Sequence, residues 1–246
     1  MTRYLFLLLL TCLLAGGCAS TQELSNDPSD PWEGVNRRVY SFNDALDRAF
    51  LVPAATGYRA VAPEFVEDGV HNFFSNLGDV GVAFNNTLQF KFLDAASDIG
   101  RIIVNSTIGL LGFMDVASHM GLRKHEEDFG QTLAHWGVPS GPYLVMPVLG
   151  PGSVRDSSGW FVDQSFNPMS YIDDEIYWPL RGLNILDTRV SVLKLEQSTG
   201  IGVYDDYTQM REIYLQRRKH LISNGNDEAN RDEEEELRRE LEMLEQ

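Results

Sequence analysis

The first eighteen residues, MTRYLFLLLLTCLLAGGC, constrain this chain most. Arg3 gives a positive start. Tyr4 to Leu14 is apolar apart from Thr11 and Cys12, and Ala15, Gly16 and Gly17 lead to Cys18. The apolar run is shorter than the about 20 residues that a bilayer-spanning helix needs, so it reads as a secretory signal and not as a membrane helix. Cys12 leaves with the signal, so the mature chain is expected to have no internal disulfide. Stability must then come from burial, and a hydrophobic fraction of 43% is enough for a globular core.

Small residues ending on a cysteine resemble a bacterial lipoprotein cleavage box, although Ala15 stands where such boxes most often carry leucine. The resemblance implies removal of residues 1–17 as signal peptide. It also implies a thioether-linked diacylglycerol on Cys18 and an acyl chain on its new amino group. A lone thiol in an oxidising compartment would otherwise be a liability. One acyl chain holds a protein only marginally on a membrane, whereas two or more hold it stably. Ala19 and Ser20 follow the cysteine with no aspartate, which in enterobacterial-type sorting implies the outer membrane, on its periplasmic face. No cofactor is expected beyond this covalent lipid.

The net charge of −16 sets the kind of partner. A chain this acidic is a poor candidate for nucleic acid. Adhesion to anionic lipid needs clustered Lys and Arg, so membrane contact beyond the anchor has to be hydrophobic. Residues 18–30 are polar and read as a lipidated tether. Residues 225–246 hold ten acids against three arginines and read as a disordered acidic tail.

Residues 31–224 read as one mainly helical domain. Pro63-Glu64 opens a segment with Val66, Val70, Phe73, Phe74 and Leu77 at helical spacing, and Gly78 is expected to close it. Asp79 then starts another, with Val80, Ala83, Phe84 and Leu88 on one face. A longer segment is expected from Leu93 to Val116. Asp205 or Asp206 caps a helix carrying Tyr207, Met210, Tyr214 and Leu221, which Gly225 ends. Two stretches are unusual. Ile108 to Met114, IGLLGFM, is apolar all round with two glycines, which suits lipid insertion or a tightly packed core helix equally. Gly137 to Ser153 has four glycines and four prolines around a hydrophobic centre and reads as a long loop or hairpin. Pro147 argues against a central strand there.

Catalytic signals are missing. His125, Glu126, Glu127, Asp128 and His135 match no metal spacing, and no GxSxG elbow occurs. Asp94, Asp98 and Asp115 read as helix caps and ion-pair partners, with Arg101 for example. No enzyme activity, catalytic residue or metal is expected.

DPWEGVNR (30–37) with the following YSFND, NSTIGLLGFMDVA (105–117), EDFGQTLAHWGVPSGPYLVMPVLGP (127–151) and VRDSSG (154–159) together resemble the MlaA family, also called VacJ. These are outer-membrane lipoproteins that maintain lipid asymmetry. The resemblance implies a flat ring of amphipathic helices lying in the periplasmic leaflet around an amphipathic channel, with little or no sheet. It implies removal of phospholipids misplaced in the outer leaflet, association with a trimeric porin, and transfer to a periplasmic lipid carrier, MlaC. A porin-organising scaffold that moves no lipid is the alternative. Carried over by residue, Asn36, Phe42 and Asn43 fall in the segment that controls the channel. Gly137, Gly141, Pro142 and Tyr143 fall in the hairpin expected to gate it. Ile108, Leu110, Leu111 and Phe113 are assigned to membrane or porin contact. Trp32, Trp136, Trp160 and Trp178 are expected to mark interface depth or to pack in the core. Proline in place of Gly141 is expected to stiffen the loop and leave the fold intact.

Overall fold

The computed structural model describes residues 27, 29–199 and 206–223. Cys18, most of the tether, Asp205 and the tail with Gly225 lie outside them. The chain is mainly helical. Helix α1 (Glu33–Leu46) runs through a π turn (Asp47–Leu51) straight into α2 (Val52–Val61). Pro53 explains the π turn. It has no N–H to give to Ala49, and its ring would strike that carbonyl in a regular helix. The chain widens instead, and the Val52 N–H reaches back five residues to the Asp47 carbonyl. Arg189 from a later helix clamps the same turn with a fork, Nε and Nη2 donating to the two Asp47 carboxylate oxygens at 2.8 and 2.9 Å.

Helix α3 (Glu64–Leu88) begins where Pro63 predicts but passes through Gly78 without a break. The expected stop at Gly78 is therefore corrected. A Cβ at Gly78 or Gly81 would meet nothing within 4 Å, so nothing there forces the chain to turn. Helix α4 (Phe92–Thr107) packs along α3 and ends well short of Val116. The expected continuous segment is corrected too. Leu110, Leu111 and Gly112 have φ of 53, 59 and 91°, which no right-handed helix contains. Both glycines of IGLLGFM are required by close approach. A Cβ on Gly109 would sit 2.2 Å from the Met114 carbonyl oxygen, and one on Gly112 would sit 2.7 Å from Asn76. The stretch is a tight non-helical turn, neither an inserted helix nor a core helix.

Two short helices follow, α5 (Val116–His119) and α6 (Phe129–His135), capped by the side chains of Asp115 and Asp128. Gly137 at φ 85° ends α6, its N–H bonding Ala134 while Val138 bonds Leu133. Strands β1 (Tyr143–Met146) and β2 (Gly150–Ser153) form an antiparallel hairpin, Tyr143 facing Ser153 and Met146 facing Gly150. Pro147 sits in the connection, where its missing N–H costs no ladder bond. Helix α7 (Val154–Phe166), a 3₁₀ turn (Pro168–Tyr171), α8 (Asp174–Thr199) and α9 (Asp206–Ile222) complete the described chain. No helix among the described residues is long and apolar enough to cross a membrane.

The distribution of side chains is inverted. Among the described residues 29 large hydrophobic side chains are exposed, while 11 hydrophobic and 19 polar or charged residues are buried. Water-soluble domains bury the first kind and expose the last. The one apolar cluster among the described residues is small: Val39, Tyr143, Val145 and Tyr207, with Tyr40, Met210 and Tyr214 around it.

Candidate lipid-facing surface and hairpin latch

Helix α4 shows how one sequence pattern makes two faces. Phe92, Ile99 and Ile103 recur at helical spacing and are exposed. Ala95, Asp98, Arg101 and Asn105 recur on the opposite side and are buried. Ile108, Leu110 and Leu111 extend the exposed apolar face past the helix end, each more than 60% exposed. Phe113 parts from them. It is half-buried, and its ring lies against Gly69, where a Cβ would come within 2.0 Å of it. Trp32, Trp136 and Trp178 are exposed and Trp160 is half-buried. Trp136 keeps its Nε1–H on the Leu88 carbonyl at 3.2 Å.

The buried face of α3 and α4 is held by polar bonds. Arg101, 2% exposed, donates through Nη1 to Ser118 Oγ at 2.9 Å and the Leu122 carbonyl at 2.8 Å, and through Nη2 to Asp115 at 3.1 Å. Its Nε lies 3.5 Å from Asp79. Lys124 reaches Asp79 as well, and donates to the Ser75 carbonyl and hydroxyl. Asp98 accepts from Asn86 and pairs with His125, both at 2.7 Å. The capping and pairing reading of Asp115 holds in geometry, and Arg101 takes Asp79 and Asp115 as its carboxylates. Burial alone would raise the Asp115 carboxyl, but hydrogen bonds from Ser118, Asn105 and Arg101 outweigh it and bring it down to about 2. Burial dominates at Asp79 and leaves its carboxyl raised despite Lys124 and Arg101. No group of three or more His, Cys, Asp or Glu among the described residues is placed to hold a metal.

The hairpin is fastened differently. Asn36 and Asn43, two turns apart, share one face of α1. Asn36 Nδ2 donates to the Tyr143 carbonyl at 3.1 Å, and its Oδ1 accepts from the Val145 N–H at 2.9 Å. Asn43 repeats the pattern on the Met146 carbonyl at 3.0 Å and the Val148 N–H at 2.8 Å. Each amide thus stands in for a neighbouring strand along β1. Asp30 holds Asn36 from behind at 2.7 Å and takes the Tyr207 hydroxyl. Burial, with Asp30 beside them, pushes the Tyr143 and Tyr207 hydroxyls well above the ordinary phenol range.

Of the residues the sequence singles out, Asn36, Asn43 and Tyr143 come together. Phe42 lies half-buried between the asparagines and brings no polar atom to the latch. Pro142 accepts from Val154 N–H at 3.2 Å at the hairpin base. Gly141 has φ 68°, which proline cannot adopt. Proline there would disrupt the turn and not merely stiffen it, which corrects the expectation of an intact fold. Sequence reasoning missed the role of Asp30 and the second carboxylate of Arg101. The heptad spacing of Asn36 and Asn43 was a readable signal for the latch.

A model of the family described as MlaA lipoprotein matches residues 28–221. The chain belongs to the MlaA lipoprotein family. A family relative from Escherichia coli K12, named intermembrane phospholipid transport system lipoprotein MlaA, is 33% identical over 227 residues, 87% of this chain and 86% of its own. An uncharacterised protein of Rickettsia typhi is 38% identical over 195 residues, covering 78% of each chain. A solved structure reported as "Structural basis for maintenance of bacterial outer membrane lipid asymmetry" superposes with a TM-score of 0.69 at 32% identity. It covers 79% of this chain and 99% of that one, so the family fold accounts for the helices and hairpin described above.

Proposed function

We propose that this lipoprotein, anchored in the outer membrane through Cys18, removes phospholipids misplaced in the outer leaflet and passes them to the periplasmic lipid carrier MlaC. The observation that carries the reading is the inverted side-chain distribution, with 29 large hydrophobics outside and a polar interior. Such a molecule is stable only where hydrocarbon covers its outside. The names of the E. coli and Shigella flexneri relatives, components of an intermembrane phospholipid transport system, supply the cargo.

A phospholipid crosses hydrocarbon slowly because its headgroup would lose its hydrogen bonds there, at several kcal/mol per unsatisfied group. A helical ring embedded in the periplasmic leaflet lowers that barrier by giving the headgroup a polar passage while the tails stay in an apolar one. No bond is broken, so no catalytic residue is required. Ile108, Leu110 and Leu111 then face lipid or a trimeric porin. The hairpin with Gly137, Gly141, Pro142 and Tyr143 acts as the gate, and Asn36 and Asn43 as its latch. Each latch bond is neutral and worth about 0.5–1.5 kcal/mol, weak enough to be broken and remade.

The test is made in the native host. Outer-leaflet phospholipid is quantified by surface labelling after gene deletion, with wild type and Cys18→Ala as complements. Accumulation rescued by wild type but not by the unanchored variant is the expected result. Unchanged outer-leaflet phospholipid with disturbed porin organisation would replace this reading with a scaffold that moves no lipid.

A further inference from the structure

Helix α8 lies against α2 and α3, and the side-chain ties that fasten it to other elements begin late. Among the described residues the first is Asp187, which meets His71 of α3. Arg189 on Asp47, Lys194 on Glu67 and Gln197 on Arg59 follow. The stretch ahead of Asp187 has no such tie. It carries Ile176 and Trp178 exposed, and Pro179 removes one of its helix bonds. Asp187 is therefore the fastening on which this arm depends.

That fastening differs chemically from the ones after it. Asp187 is 5% exposed, and among the described residues its carboxylate has one cationic partner, the His71 imidazole, with Nδ1 3.0 Å from Oδ2. Burial works against the charge of Arg189, but hydrogen bonds to Asp47 and Glu196 outweigh it and raise the guanidinium further. The hydrogen bond to Glu67 raises the Lys194 ammonium. Both therefore stay charged at any pH near neutral. An imidazole is the side chain that changes charge between about pH 5 and 8. Once His71 is neutral, the Asp187 carboxylate is left buried beside an uncharged partner, and a buried charge without a counter-charge is destabilising.

We propose that His71 and Asp187 form a proton-operated clasp, which holds residues 174–186 onto α3 when the imidazole is charged and loosens them when it is neutral. The surroundings favour the charged form. The hydrogen bond to Asp187 raises the imidazole above its ordinary value against the opposing effect of burial, and Asp68 adds to it while Lys124 opposes it. Tyr58 of α2 faces Asp187 and Glu67 from the other side. Burial, together with those two carboxylates, raises its hydroxyl, so it brings no second titration to this range. A raised histidine contributes stability that is complete below its unfolded value and is lost as the pH rises through the folded one. The arm is thus tight in acid and loosens towards alkaline pH, a property independent of what the protein carries.

The test uses the full-length lipidated protein in detergent micelles from about pH 5 to 8. Histidine isotopically labelled at Cε1 reports the His71 titration by NMR, its signal identified by its loss in His71→Gln. The midpoint should lie above the ordinary imidazole value of about 6.5 and should fall in Asp187→Asn. Hydrogen exchange over residues 180–187, read by mass spectrometry and corrected for the effect of pH on the chemical step, reports opening of the arm. The opening constant should rise about two- to fivefold across the range in the wild type, the worth of a half-exposed ion pair. It should stay flat in His71→Gln and in Asp187→Asn. The His71 side chain is 57% exposed, so glutamine there leaves the fold in place. A midpoint that does not move in Asp187→Asn overturns the clasp. So does a rise in opening that persists in His71→Gln, or a wild-type profile as flat as those of the variants. Each of these results would leave the transport reading standing.

Discussion

The contact between α1 and the hairpin and the contact between α3 and α4 are built from opposite materials. At the first, Val39, Tyr143, Val145 and Tyr207 make an ordinary apolar seam, and neutral asparagine amides fasten a strand edge. At the second, Arg101, Asp79, Asp98 and Asn105 lie inside and phenylalanines and isoleucines outside. The first joint loses less when a bond opens, because each bond to the strand is neutral. The second loses a great deal, because an unpaired charge would stay buried. The gate proposed for the hairpin and the frame that carries it call for this difference.

Mutations can break or sharpen the contrast. The largest effect is expected from Arg101→Met, which leaves the carboxylates of Asp79 and Asp115 without their guanidinium. Chemical denaturation in detergent should show a loss of about 3–5 kcal/mol. A loss under 1 kcal/mol would mean that the α3–α4 interior is wetter than its burial implies. Asn36→Ala comes next, at about 1–3 kcal/mol, because it takes the bond from Asp30 Oδ1 and leaves the buried Val145 amide unpaired. Asn43→Ala should cost about 0.5–1.5 kcal/mol and act locally. Faster hydrogen exchange at Val148 with no change at Val145 would establish the two asparagines as separate clasps, and equal acceleration at both would make the latch one cooperative unit.

The smallest effect is a pH dependence. The Asp115 carboxyl is held at about 2, below its ordinary value of about 4, in a side chain 30% exposed. Its contribution is complete above that ordinary value and is lost as the pH falls through the folded one. The melting temperature should therefore drop more steeply from pH 5 towards pH 2 in the wild type than in Asp115→Asn. Parallel profiles would remove Asp115 from the frame.

Much of the helical content was legible because periodicity survives inversion. Val66 to Leu77 has the same spacing whether its face meets a core or lipid tails, and Pro63-Glu64 starts a helix in either case. Periodicity gives the faces of α4 but not which one is inside, so the burial of Asp98 and Arg101 had to come from the structure. Gly78 misled because a glycine permits a helix end without requiring one, and at Gly78 even a Cβ would meet nothing within 4 Å. The turn at Leu110 and Leu111 was hidden because leucine rarely takes positive φ, and the local bonds that close it, such as Gly112 N–H to the Asn105 carbonyl, leave no mark on the spacing of residue types. The hairpin residues were readable as a glycine- and proline-rich segment, yet the bonds that fasten them were not. Asn36 meets Val145 across 109 residues.

The π turn at Asp47–Leu51 has a geometric consequence for the latch. It is one residue more than a regular turn needs, and one residue of helix corresponds to about 100° of rotation and 1.5 Å of rise. Replacing Pro53 so that Glu33–Val61 rewinds into an even spiral with every residue kept would wind that surplus into the helix. With α2 held in place, Asn36 and Asn43 would swing about a quarter turn around the axis and lose the strand together. The surplus residue works as the pitch setting of a screw, and it decides which way the clasp points.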